Sequence, residues 1–241
     1  MSFEISVEIA EQIAMFALYA DMSTNLDLKR RIIDSKKEYI ESFNKRFAGF
    51  IDGPLSSSLS AERMVIPHNK KKKSGCDTTI IISSKGVSKI AISKYKYPSF
   101  QDPQMYWDRH KKRSEKSLFS SQLDKQQKYS DEYAVMEKFI NNKIINQTQA
   151  MTKDTANCIW HADVMSFNQS CRQHPESLWN TQHLLDLFDE KNPSDIGSML
   201  KAVCLDPIAV PVSIPSGKIG IKNYIRENKL PSRVLSINVI D

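Results

Sequence analysis

No stretch of this sequence approaches the run of about 20 apolar residues that a membrane span needs. Glycine is scarce, seven in 241 residues, which argues against a loop built to cradle a nucleotide. No G-x-S-x-G, H-E-x-x-H or glycine-rich phosphate loop occurs, and Ser216-Gly217-Lys218 lacks the preceding glycine of a P-loop. Four cysteines, Cys76, Cys158, Cys171 and Cys204, are scattered along the chain. They read as free thiols of a reducing compartment rather than as a disulfide framework. The N-terminus carries Glu4, Glu8 and Glu11 and no basic region, which argues against a signal peptide. These absences predict a cytoplasmic protein with no membrane partner. Apolar residues make up 40% of the chain, enough for a sizeable core.

Charge is present but unevenly spread. The net charge is +6. Between Lys70 and Lys116, thirteen Lys/Arg stand against four acids, Asp77, Asp102, Asp108 and Glu115. That segment alone carries +9, which leaves −3 for the remainder. A concentrated positive field attracts polyanions, nucleic acid above all and DNA by preference. The run Lys70, Lys71, Lys72 and Lys73, followed by Ser74-Gly75, reads either as a solvated turn or as a grip on a phosphate backbone. Lys89, Lys111, Lys112 and Arg113 extend the same field.

Periodicity divides the chain into elements. Ile5, Ile9, Ile13, Phe16 and Ala20 recur at helical spacing over residues 3–20, and Leu28, Ile32, Ile33, Ile40, Phe43, Phe47 and Phe50 do so over 26–50. Gly53-Pro54 ends the second helix. These helices predict an N-terminal unit, 1–52, before an α/β domain, 53–241, unless the whole is one compact domain. They also offer a surface for a protein partner or a second copy. A short helix or strand is expected around 61–66. Thr78 to Ile82 is β-branched throughout and reads as a buried strand. Ser84-Lys85-Gly86 is a turn. From Val87 to Tyr97 the residues alternate, with Ser88, Ile90, Ile92, Lys94 and Lys96 sharing one face. Residues 103–145 read as helical in two pieces, 155–167 as a strand, and 177–191 as a helix. A capped helix through Cys204, a helix over 218–228 and a last strand from Arg233 complete the chain. The order is mixed α/β.

An Asp at the mouth of one strand, beside a strand that carries lysine, suggests metal-dependent phosphodiester chemistry. Mg²⁺ takes carboxylate oxygens together with phosphate oxygens and water, and lysine supplies positive charge near the attacked phosphate. Asp77, the hairpin, "AISK" or "SKYK", and a subsequent helix with Gln122, Gln126 and Gln127 resemble the core of the PD-(D/E)xK nuclease superfamily. "YWDRHKKRSEKSLFSSQLDKQQKYSDEYAVMEKFINNK" is similar to the segment after the lysine in members of bacterial and phage-defence type. The resemblance covers roughly residues 38 to 167. It implies a restriction-endonuclease-like mixed sheet flanked by helices, with Mg²⁺ on Asp77. It also implies Lys94 or Lys96 as the catalytic lysine, and nucleic-acid contacts from Gln122 and Gln126 beside the basic residues.

The departure from that pattern is at the second acid. With Lys94 as the lysine, the acidic position holds Ile92; with Lys96, it holds Lys94. Either the acid has migrated to Glu115, Glu62 or Glu41, or the site is silent and the chain serves as a binding subunit of a larger, defence-type complex. A third reading is a zinc-stabilised module using Cys158, His161, Cys171 and His174, two Cys-x2-His pairs. An extended chain at Ile159-Trp160 would send Cys158 and His161 to opposite faces, which weighs against it.

Overall fold

The hairpin organises the sheet. In the computed structural model, which describes residues 2–54, 56–67, 74–97, 107–111, 116–140 and 156–240, β2 (Thr78–Ser84) and β3 (Val87–Lys96) pair antiparallel from Thr78↔Ser93 to Ser84↔Val87. Lys85 (φ 49°) and Gly86 (φ 79°) make the two-residue connection. Two successive positive φ angles match the right-handed twist of the strands. A Cβ on Gly86 would meet nothing within 4 Å, so the backbone conformation and not crowding favours glycine there.

Around this hairpin the sheet grows to six strands among the described residues, in the order β1-β6-β2-β3-β4-β5. β6 (Arg233–Val239) lies parallel to β2, and β1 (Leu59–Val65) closes that edge antiparallel to β6. On the other side β4 (Ala134–Phe139) runs parallel to β3, and β5 (Cys158–Trp160) is a short antiparallel edge. A parallel neighbour requires a crossover; α3 (Leu118–Gln127) lies within the β3–β4 connection.

Helices cover both faces. α1 (Val7–Lys29), α2 (Lys36–Ile51) and α6 (Ile196–Leu205) bury Ile13, Phe16, Phe43, Phe47 and Met199 against Ile80, Ile82, Met136 and Leu235. Each fully buried aliphatic or phenyl side chain contributes about 1.5–3 kcal/mol. The N-terminal helices thus share one buried cluster with the sheet. Gly197 permits a close approach of α6 to α1: a Cβ there would lie 2.3 Å from the Ala14 carbonyl oxygen of α1. On the opposite face α7 (Gly217–Glu227) packs Ile221 and Ile225 on Ile81, Ile90, Ile92 and Val234. Beside it α3, α4 (His161–Ser170) and α5 (Thr181–Lys191) enclose Phe119, Leu123, Val164, Trp179 and Leu187 with Phe139. No helix among the described residues is long and apolar enough to cross a membrane.

Two expectations are corrected. Residues 134–139 form a strand, although the 103–145 stretch reads as helical. Tertiary burial overrides propensity here, since all six side chains of β4 are buried. Residues 155–167 do not form one long strand either: only Cys158–Trp160 is extended, and His161 opens α4.

β4 carries a fully buried lysine. Lys138 Nζ donates to Asp21 Oδ2 of α1 at 2.9 Å and to Asn157 Oδ1 at 2.7 Å. The Tyr39 hydroxyl of α2 donates to Asp21 Oδ1 at 2.6 Å and lies 2.8 Å from the Asn25 amide oxygen. Burial works against the ammonium charge, but Asp21, acting together with Cys158 and Asp195, outweighs it and holds Lys138 above its ordinary pKa. Removing one partner from such a pair strands the other charge in the interior. Asp21→Asn should therefore lower stability by about 3–5 kcal/mol in urea unfolding, and the double change Asp21→Leu/Lys138→Met should cost much less. Equal losses for the single and the double change would contradict this.

Candidate nucleic-acid interface

Asp77 precedes β2 and extends its ladder, donating its N–H to the Ser93 carbonyl at 2.9 Å. Alternation from this point sends Asp77, Lys94 and Lys96 to one face of the sheet. The Asp77 carboxylate is buried. Its Oδ2 lies 2.6 Å from Lys36 Nζ and 3.4 Å from Lys94 Nζ, and it accepts the Tyr95 N–H at 3.1 Å. Lys36 comes from the first turn of α2, whose N-cap is Ser35. Gly75 (φ 75°) brings the incoming chain close to α3: a Cβ there would lie 3.2 Å from the Gln122 carbonyl oxygen.

Lys96 lies one pleat beyond Lys94. Its Nζ donates to Gln122 Oε1 at 2.9 Å and sits 3.3 Å from the centre of the Phe119 ring. Burial pulls its pKa down to about 7; Glu137 and Asp108 work against that shift, and Lys94 and Lys36 add to it. A lysine titrating near neutrality at the wall of a cleft marks a candidate functional position. The cleft is a cavity of about 730 Å³ whose lining includes Lys36, Lys94, Lys96, Arg109, His110 and Trp107. The acid in that lining, Asp108, is engaged in capping: its carboxylate accepts the N–H groups of Phe119 at 2.8 Å and Arg109 at 2.7 Å, and the Ser117 hydroxyl. Among the described residues the cavity wall therefore has an excess of positive charge.

Glu137 of β4, in register with Lys94, is a carboxylate that no motif in the sequence singles out. It is buried on the same face as Val135 and Phe139, and neither carboxylate oxygen has a hydrogen-bond partner among the described residues. His161 Nδ1 stands 3.9 Å from Glu137 Oε1, and neither imidazole nitrogen has a hydrogen-bond partner there. The signal for Glu137 is the alternation of "AVMEKF", in which Glu137 and Lys138 point to opposite faces.

Other expected site residues lie elsewhere. Ile92 packs into the apolar cluster beneath α7. Lys89 does not share the cleft: it is on the opposite face, donating to the carbonyls of Asp206 at 2.7 Å and Cys204 at 3.4 Å at the end of α6. Gln126 is buried and donates to Cys76 Sγ at 3.4 Å, so it presents no surface to a nucleic acid. Lys111 is exposed next to His110 of the cavity wall. Glu62, on edge strand β1, pairs with Lys218 at 2.5 Å, and Glu41 of α2 lies 3.7 Å from Arg233. Lys70, Lys71, Lys72, Lys73, Lys112, Arg113 and Glu115 fall outside the described residues. The two Cys/His pairs do not converge. Cys158 lies in β5 and His161 opens α4, whereas Cys171 and His174 lie beyond the end of α4, about 15 Å away along a ten-residue helix. Cys171 donates instead to Glu190 at 2.9 Å.

Comparison with known proteins adds no assignment: no family model, no curated protein and no solved structure matches the chain.

Lys96 gives up its proton in the fold near pH 7, but in the unfolded chain only near 10.5. Between those values the unfolded chain binds more protons, so this group makes stability rise with pH across that window. NMR of the Lys96 ε-methylene should show a midpoint near 7. Glu137→Gln should move that midpoint down and Lys94→Met should move it up. A midpoint at the ordinary lysine value would contradict the burial argument.

Proposed function

We propose that the protein binds nucleic acid, gripping a backbone phosphate in the cavity among β3, α2 and α3, and that it cleaves phosphodiesters weakly or not at all. The observation that carries this reading is the state of Asp77. Its carboxylate is engaged by two ammonium groups and a backbone N–H, which leaves the cavity wall dominated by Lys36, Lys94, Lys96 and Arg109. Such a wall suits phosphate, the sequence-independent part of nucleic-acid recognition. The β2–β3 hairpin, the helix α3 after it and the parallel strand β4 support the restriction-endonuclease-like assignment.

Mg²⁺, which that assignment implies, needs oxygen ligands that can converge on one ion. Asp77 is held by lysines, and position 92 is an isoleucine in the core. Glu137 lies two strands from Asp77, about 10 Å between backbones, with Lys94 in register between them. The donor set does not fit a two-carboxylate Mg²⁺ site, so no catalytic step is assigned through the ion.

Fluorescence anisotropy with labelled DNA and RNA, single- and double-stranded, tests the reading. Binding should weaken with salt, and Lys36→Ala and Arg109→Ala should each flatten the slope of log K against log salt by about 0.9 for duplex DNA. Cleavage with Mg²⁺ should be slight. Unchanged affinity and slope in both variants would overturn the reading, as would robust Mg²⁺-dependent cleavage lost on Asp77→Ala.

A further inference from the structure

α1 is buried on one side only. Ile13, Phe16, Ala17 and Ala20 face the core, while Met15 (37% exposed), Tyr19 (47%), Met22 (50%) and Leu26 (44%) form an outward apolar stripe. Phe50 of α2 flanks the stripe, its ring 6.3 Å from that of Tyr19. Adjoining apolar side chains exposed along one helix face mark an interaction surface more than scattered single residues do.

The spacing of the stripe specifies a partner. Glu8, Met15, Met22 and Lys29 recur every seven residues, about two helical turns, with Glu11, Tyr19 and Leu26 beside them. The helix is acidic at its start and basic at its end, through Glu8 and Glu11 to Lys29 and Arg30. We propose that this face is a self-association surface on which two copies pair their α1 helices antiparallel, about a two-fold axis beside Tyr19. In that register Met15 of one copy meets Met22 of the other, Glu8 meets Lys29, and Glu11 flanks Leu26. A two-fold interface must be self-complementary, and this stripe is.

The other pairings fail on charge or polarity. A parallel pair sets Glu8 against Glu8 and Lys29 against Lys29. An antiparallel pair slipped by one heptad sets Met15 against Lys29, or Glu8 against Met22, and loses both ion pairs. The apolar stripe supplies the contact, while the charged ends select orientation and register.

Sedimentation equilibrium of the full chain, without nucleic acid, tests this. The wild type should show twice the 27.6 kDa mass of one chain in the micromolar range and at low salt. Met22→Glu should reduce it to a single chain. Glu8→Lys and Lys29→Glu should each weaken self-association about ten-fold, by placing like charges together at both ends. An equimolar mixture of these two variants should recover wild-type association, because both ends of the mixed pair then carry opposite charges. A wild-type mass of one chain would overturn the proposal. So would single variants that associate as the wild type does, or a mixture that fails to recover.

Discussion

Strand β4 buries two charges in succession, Glu137 toward one face of the sheet and Lys138 toward the other. Much of the fold is arranged around this constraint. On the Lys138 side the solution is complete: Asp21 supplies the opposite charge, Asn157 a second acceptor, and Tyr39 a donor to Asp21. That cluster draws α1 and α2 onto the sheet at a point where apolar packing alone would not fix their register. A buried pair adds little net stability over apolar residues of the same shape, but it penalises any arrangement that separates the partners.

On the Glu137 side the solution is electrostatic rather than hydrogen-bonded. The carboxylate has no hydrogen-bond donor among the described residues, yet it opposes the burial-driven loss of charge on Lys96. Lys94 stands in register with it and pairs in turn with Asp77. A row of alternating charge therefore crosses three strands, acid on β4, lysine on β3, acid at the start of β2. Lys36 tips this row toward positive charge where it meets the cavity, and Lys96 adds to it below about pH 7. In the proposed reading the residues that engage Asp77 are also those that would attract phosphate to the cavity, so both halves of the functional proposal rest on one piece of geometry.

Much of this is legible in the sequence. The β-branched run at Thr78 to Ile82, the Ser84-Lys85-Gly86 turn and the alternation after it specify the hairpin and put Lys94 and Lys96 on one face. The capped helix through Cys204, whose N-cap Asp195 accepts the Ser198 N–H, and the last strand from Arg233 are equally plain, because local signals and burial agree there. β4 is hidden for a physical reason. A strand buried on both faces loses the polar alternation that betrays a half-buried one, and "AVMEKF" carries charges that suggest a solvated helix. Lys36 is hidden differently: its pairing with Asp77 depends on how α2 lies across the sheet, which no local pattern encodes. Lys89 shows the converse, since its basic character is plain in the sequence but its engagement by two carbonyls at the end of α6 is not.

The most direct test of the account is to map where a short oligonucleotide touches the protein, by backbone amide shift changes on titration. The account predicts changes concentrated at 36, 94–97, 107–111 and 118–122, with the Lys94 and Asp77 side chains still paired in the bound state. Changes confined to another basic surface, such as Lys218, Lys222 and Arg226 of α7, with the cavity residues unmoved, would contradict it.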